Sequence, residues 1–346
     1  MFIRRRRLLS GSIVAALSVA GLGADRERPA ARAAGPAPGP SPASDSPEAS
    51  PSEASPSEAS PPAEASPPIE ASPSPREMDS LAGPAGPADL NVMTFNLRYA
   101  AAVPPNSWAE RRPVMRTLLT TERPDLIGTQ EGLPDQLRDI GSDLGADYDR
   151  IGLGREGGDR GEHMAIFFDR TRLAPQKAGN FWLSETPSVP GSISWGSNSI
   201  RMVTWVLFAD RKTGRRFYAV NTHLDNRSEN ARRHGAALLA QRLAAFDRLP
   251  IVLTGDFNSP AQSSSQVYHL LVDQTGLRDT WITAPRRGPA YATIHNFQAL
   301  VPNGIRADWI LTTPGVTPLA ALMNTFRGGS QYPSDHLPVQ VRLRLP

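Results

Sequence analysis

From residue 89 onward the chain gathers its apolar, β-branched and aromatic residues into short runs: LNVMTFNLR (90–98), DLIGTQE (125–131), HMAIFFD (163–169), MVTWVLFAD (202–210), RFYAVNTHL (216–224), IVLTGDFN (251–258), RADWILTT (306–313) and LPVQVRLRL (337–345). Their length and composition predict strands. Helical periodicity lies between several of them. In SENARRHGAALLAQRLAAF (228–246) Ser228 offers an N-cap, and Leu239, Leu243 and Phe246 recur at helical spacing. A second helix is predicted from Trp108 to Thr121, stopping before Pro124. Lys212, Thr213 and Gly214 separate two strand-like runs and read as a hairpin turn. Hairpins mixed with strand–helix alternation predict an α/β protein whose sheets are covered by helices.

Before residue 89 this pattern is missing. Residues 1–24, MFIRRRRLLSGSIVAALSVAGLGA, place four arginines ahead of a short apolar run and then small residues, the layout of an export signal of Sec or twin-arginine type. The apolar run holds Ser10, Ser12 and Ser18 and is shorter than the ~20 residues of a comfortable membrane span, so cleavage is favoured over anchoring. Residues 25–88 are dominated by Pro, Ala, Ser and Glu, with near-repeats of SPSEA. Such a segment cannot bury enough apolar surface to offset the entropy of ordering, so a disordered, Pro-stiffened tether is expected. Its period is too short for a solenoid. A secreted or extracytoplasmic protein follows, tethered only if the signal stays uncleaved.

The remaining residues, 89–346, suffice for one large domain. A formal net charge of +3 over the 346 residues tolerates a phosphate-bearing substrate without demanding nucleic acid. No Cys is present, so stability owes nothing to disulfides.

The predicted strands share a habit: they stop at polar residues. Asn96 ends the first, Gln130 and Glu131 the second, and Asn221, Thr222 and His223 the fifth. Asp256 and Asn258 end the sixth, Asp308 lies in the seventh, and Ser334, Asp335 and His336 precede the last. In an extended segment residues at i and i+2 point the same way, so Asp256 and Asn258 would address one place. Gly255, Asn258, Ser259 and Pro260 also fit a plain turn, but repetition at so many strand ends points to a site.

The blocks TFNLRY (94–99), TQE (129–131), NTHLD (221–225), TGDFNS (254–259), RADWIL (306–311) and SDH (334–336) stand in the order found in the endonuclease/exonuclease/phosphatase superfamily, which the chain resembles across residues 89–346. That superfamily includes DNase I-like nucleases, abasic-site endonucleases, inositol polyphosphate 5-phosphatases and neutral sphingomyelinases. The resemblance implies a four-layer α/β sandwich: two mixed sheets face to face, helices outside, and the site at one end.

Hydrolysis of a phosphate ester requires neutralising growing negative charge, activating water and helping an alkoxide leave. With no Cys and only six His, a hard cation on oxygen ligands, Mg²⁺ or Mn²⁺, is the expected electrophile. Glu131 is the first choice of ligand, with Asn96 supplying an amide oxygen or orienting it; both match the family's metal-site positions. The resemblance implies that Asp256 orients or deprotonates the attacking water and that Asn258 hydrogen-bonds a non-bridging oxygen. His336 and His223 would donate to phosphate oxygens, most effectively as imidazolium, each with a carboxylate behind it. Asp308 matches the family's partner for His336, Glu162 is expected to serve His223, and Asp335 matches a position approaching the metal from the far side.

Other residues fit blander roles. His234 and His269 sit on helix-like segments and are expected at the surface, and His163 opens a strand with no assigned role. His295 lies in a loop-like stretch that could line the mouth. Trp182 and Trp195 could be pocket walls or core. Arg98 stands where several nuclease members carry an acid, which favours a single-cation site, and Asn226 stands where close relatives often show His. Arg111, Arg112 and Arg116 could cluster on one helix face, but no run of basic and aromatic residues marks a nucleic-acid groove and no basic amphipathic helix argues for lipid docking. The expectation is a monomeric, exported, Mg²⁺-dependent phosphoesterase working by in-line attack of an activated water. Its alternatives are an extracellular nuclease on DNA or RNA, a sphingomyelinase-like phospholipid hydrolase, and a non-catalytic surface-binding module on a stalk.

Overall fold

A computed structural model describes residues 76–346; the expected export signal and most of the expected tether lie outside them. In chain order the elements are α1 (Glu77–Ala82), β1 (Asp89–Asn96), α2 (Trp108–Glu122), β2 (Leu126–Gln130), α3 (Pro134–Leu144), β3 (Tyr148–Ile151), β4 (Ile166–Asp169), β5 (Leu173–Trp182), β6 (Met202–Asp210), β7 (Arg216–His223), α4 (Glu229–Ala244) and β8 (Ile251–Asp256). Then come α5 (Gln266–Tyr268), continued as a π-helical stretch His269–Gln274, β9 (Arg278–Asp279), α6 (Thr280–Thr283), β10 (Asp308–Thr312), β11 (Thr317–Met323) and β12 (Val339–Arg344).

Two six-stranded sheets result, ordered β11-β12-β1-β2-β4-β3 and β5-β6-β7-β8-β10-β9. Both are mixed: β1 runs parallel to β2 and β7 to β8, while the other neighbours are antiparallel. The central strands are apolar on both faces and supply two cores each. In β1, Leu90 and Val92 join the core between the sheets, whereas Met93 and Phe95 pack outward with Leu118, Leu119, Leu137 and Ile140 of α2 and α3. In β8, Val252 faces inward and Leu253 packs outward with Leu239 and Leu243 of α4. Helices therefore cover both outer faces, giving the expected four-layer, DNase I-like sandwich. Each such Leu or Phe contributes on the order of 1.5–3 kcal/mol by leaving water.

The inward-facing rows turn polar toward one end. Gln130 Nε2 donates to Asn221 Oδ1 across the sheets at 2.7 Å, and Asn221 Nδ2 donates to the Thr129 carbonyl at 2.7 Å. Gly128 lets the sheets approach here, since a Cβ on it would lie 2.0 Å from Thr254 Oγ1. Asn221 and Gln130 thus fasten the layers together just beneath the site.

Ser228 caps α4, its Oγ accepting from Ala231 N at 3.1 Å, as the sequence predicts. The Lys212–Gly214 turn joins β6 to β7, with Gly214 at φ 71°. One boundary moves. Residues 76–88, expected inside the tether, belong to the folded body: Met78 of α1 is buried against Ala320 and Leu322, and Asp79 pairs with the buried Arg342. Their mostly polar composition hid a short helix anchored by Met78, with Leu81 and Ala82 packed beside it. Among the described residues no helix is long and apolar enough to cross a membrane.

Candidate active site

Period-two alternation explains why the polar strand ends converge. Asn96, His223, Asp256 and Asp308 all continue the inward-facing rows of β1, β7, β8 and β10, so each side chain points into the gap between the sheets. Register does the rest. Asp256 lies directly opposite Asp308 in the β8–β10 ladder and beside His223 in the β7–β8 ladder. From the other sheet, Asn96 Nδ2 donates to Asp256 Oδ2 at 3.0 Å and to Glu131 Oε1 at 3.1 Å. The 334–336 segment is tied in by Ser334 Oγ, which donates to the Asn96 carbonyl at 2.7 Å.

His336 Nδ1 donates to Asp308, with oxygens at 3.0 and 3.2 Å. Burial alone would lower this imidazole, but Asp308, then Asp256 and Asp335, outweigh it and push it up to about 10, so it stays charged at neutral pH. Asp256 moves the other way from an ordinary carboxyl. Burial and the facing Asp308 push it up to about 7, against the pull of His336, the Asn258 N–H and Asn96. His223 is held well below its ordinary range by burial, then by Arg201, His336 and Arg155. It is therefore neutral, not the imidazolium the sequence suggests.

Asn258 corrects a second expectation. The strand stops at Asp256, and Asn258 adopts φ 47°, with its backbone N–H donating to Asp256 Oδ1 at 2.9 Å. It reaches the site from a left-handed turn, where its Nδ2 stands 3.0 Å from His223 Nε2. Turn and site share the same residues.

Glu162 corrects a third. It pairs with Arg155 Nη1 at 2.6 Å and not with His223, whose Nδ1 finds no hydrogen-bond partner among the described residues. Burial raises the Glu162 carboxyl despite Arg155. The His223 side of the site is instead bordered by two arginines, Arg155 and the buried Arg201. Neither Arg201 nor Arg155 stood out in the sequence, where each sits in an unremarked loop.

For a cation, the donor set is all oxygen apart from the imidazoles. Glu131 is half-buried, held by Asn96 and by the Tyr99 backbone N–H at 3.2 Å, and it occupies φ 63°, a conformation L-residues rarely adopt. Asp335 turns its carboxylate toward Arg98, 3.5 Å away. Asp256, Asp308 and His336 offer ligand atoms all within 4.8 Å of one another, a group that could hold a metal. The His336–Asp308 ion pair competes for that position, which leaves the Glu131 carboxylate as the better cation ligand; Asn96 orients it through Nδ2, its own Oδ1 accepting from the Arg98 N–H at 2.9 Å. The Asp256 carboxyl is driven up to about 7 first by burial and then by the facing Asp308, and the carboxylates gathered here are hard oxygen donors of the kind divalent cations take.

Arg111 is buried and not on an open basic face: its guanidinium donates to the carbonyls of Leu97, Arg98, Tyr99, Asn106 and Pro333. The signal was in the sequence. Arg111 falls on the buried stripe of α2 with Met115, Leu118, Leu119 and Glu122. His295 is buried against Tyr332, with both ring nitrogens unpartnered among the described residues and its backbone N–H on the Asp335 carbonyl at 2.9 Å. His234 and His269 are exposed, and His163 is bonded to Asp159. Trp182 is buried, its Nε1 donating to the Arg155 carbonyl, and Trp195 stacks on His234.

These features meet in comparison with known proteins. The sequence profile of the Endonuclease/Exonuclease/phosphatase family matches residues 93–336, and the chain belongs to that family. A family member from Bacteroides thetaiotaomicron superposes with a TM-score of 0.70 at 33% identity, over 75% of this chain and 98% of that one. The mannosyl-6-phosphatase of Bacteroides thetaiotaomicron VPI-5482 superposes with a TM-score of 0.69 at 34% identity, over 73% of this chain and 99% of that one. The human Nocturnin catalytic domain, at 20% identity and a TM-score of 0.59 over 75% of this chain and 95% of that one, shares the fold. No curated protein matches the chain.

Proposed function

We propose that the protein is an exported, metal-dependent phosphoesterase that removes phosphate from a small ester such as a phosphorylated sugar. The observation that carries this is the meeting of Asp256, Asn258, the His336–Asp308 pair and Glu131 at one end of the sandwich. The 34% identity to a mannosyl-6-phosphatase supports the substrate class. Asp256, with its carboxyl near neutrality, suits orienting and deprotonating a water. That water attacks phosphorus opposite the ester oxygen, the new P–O bond forms as the old one breaks, and the alkoxide leaves and takes up a proton. His336, held charged by Asp308, donates to a non-bridging oxygen as its negative charge grows, and the Asn258 amide joins it by exchanging its contact with His223 Nε2 for a phosphate oxygen. Glu131, oriented by Asn96, would hold the cation, which supplies further charge neutralisation when bound.

The purified full-length protein with Mg²⁺ should cleave one or more of mannose 6-phosphate, p-nitrophenyl phosphate, bis-p-nitrophenyl phosphate, plasmid DNA and sphingomyelin. EDTA should silence it, and Mg²⁺ or Mn²⁺ should restore it. No turnover on any of these with either metal would sink the proposal, and chelator-resistant turnover would remove the metal from it. Export rests on residues 1–24 alone; recovery of the protein in the cytosol with an intact N-terminus would exclude it.

A further inference from the structure

The Leu97–Tyr99 turn beside the site is fixed from several directions. Arg98 N donates to Asn96 Oδ1 at 2.9 Å, and the Arg98 carbonyl accepts from Arg111 Nη2 at 3.0 Å and Gln136 Nε2 at 2.9 Å. Arg111 Nη1 also joins the Leu97 carbonyl at 2.8 Å to that of Pro333 at 2.9 Å, locking this turn to the segment that carries Asp335 and His336. Held this way, Arg98 sits at φ 53°, a left-handed conformation that such clamping sustains. The direction in which its side chain leaves the backbone is thereby set.

The guanidinium ends at the lip of the site, with 38% of the side chain exposed. It lies 3.5 Å from Asp335 Oδ2 and over the Tyr99 ring at 4.5 Å from its centre. Among the described residues it makes no hydrogen bond, so its fork of donors is attracted to Asp335 without being used up. Asp335 directly precedes His336, whose imidazole faces Asp308 and Asp256. An available planar cation therefore stands next to the residues that would hold a phosphate.

We propose that Arg98 is a specificity-determining residue whose guanidinium binds the outer oxygens of a terminal phosphate and makes the enzyme prefer phosphomonoesters to phosphodiesters. This rests on the phosphoesterase reading. A terminal phosphate carries close to two negative charges near neutral pH and three non-bridging oxygens, which a guanidinium matches with paired hydrogen bonds. A diester carries one charge and only two non-bridging oxygens, so it offers the guanidinium less to hold. Arg98 thus discriminates by attracting one class more strongly than the other.

The test uses the full-length protein with Mg²⁺, comparing Arg98→Met and Arg98→Lys with the native chain on p-nitrophenyl phosphate and bis-p-nitrophenyl phosphate, with inhibition by inorganic phosphate as a binding readout. Arg98→Met should lose about 10–100-fold in kcat/KM on the monoester, mainly through KM, and weaken phosphate inhibition by a similar factor. Diester turnover should change by less than about 3-fold. Arg98→Lys, which keeps charge but not the fork, should fall between and decides the matter if the methionine variant does not fold. Equal losses on both esters, or none, would overturn the proposal and leave Arg98 as a partner of Asp335 only. A native protein that cleaves diesters but not monoesters would overturn it while sparing the phosphoesterase reading; cleavage of neither would overturn both.

Discussion

Asp256 and Asp308 face each other across one ladder rung in a buried place, and two carboxylates so placed cannot both ionise freely. His336 resolves this for Asp308 by direct pairing, and Asp256 is left near neutrality. Asp256→Asn should therefore lower kcat by about 10²–10⁴-fold while the thermal midpoint holds or rises, because the strained charge is gone; retained turnover would place water activation elsewhere. Asp308→Asn has a pH signature with a definite sign. The native imidazole, pushed up to about 10, keeps its proton through neutral pH, whereas without Asp308 burial is opposed only by Asp256 and Asp335 and the proton leaves at lower pH. The alkaline limb of the pH–kcat profile should move toward neutrality, and an unmoved limb would mean that His336 charge plays no part in turnover. The sequence revealed which residues gather because strand ends and period two are local features. It did not reveal that Glu162 pairs with Arg155, or that His223 is neutral, because those depend on which loops meet in space.

The strands that periodicity found are interior strands: β1, β2, β4, β6, β7, β8, β10 and β12 all have a neighbour on both sides. The strands it missed are β3, β5, β9 and β11, the edges of the two sheets. An edge is wetted along one side and buries fewer apolar residues, so its pattern fades; β5 carries exposed Gln176 and Lys177, and both β5 and β11 place a proline at a register shift. The amphipathic α3 was missed because its stripe is thin, only Leu137, Ile140 and Leu144, and Gly141 and Ser142 within it read as turn residues. In α2 the stripe was legible but its first member was an arginine. Burial lowers the Arg111 guanidinium to about 10, still charged at neutral pH, and its hydrogen bonds to five carbonyls join the two loops that flank the site. Arg111→Met would leave those carbonyls without their donor. A loss of about 2–4 kcal/mol in urea unfolding is expected, together with a fall in kcat; a stable, fully active variant would show that the loops hold their positions without it.

The two ends of the sandwich carry different burdens. The site end holds left-handed Arg98, Glu131 and Asn258 and the raised Asp256, all unfavourable to folding taken singly. The opposite end, where β1 starts and β6 and β12 finish, holds the matched pairs Asp89–Arg344 and Asp210–Arg172. Stability built at one end offsets strain kept at the other, and the Asp210 pair allows a test. Burial alone would raise the Asp210 carboxyl, but hydrogen bonds from Arg172, Thr213 and the Lys212 backbone outweigh it and hold the carboxyl below its ordinary value. A carboxyl held low in the folded state binds fewer protons there than in the unfolded chain, so its stabilisation is present above the unfolded value near 3.8 and is lost as pH falls through the folded one. Asp210→Asn leaves Arg172 buried without its counter-charge and should lower stability by about 3 kcal/mol at neutral pH. Urea unfolding should show the gap between native and variant narrowing below about pH 4, while kcat of the folded variant stays unchanged because the site lies at the far end. A gap that stays constant from pH 7 to pH 3 would show that the pair acts through packing and not through charge.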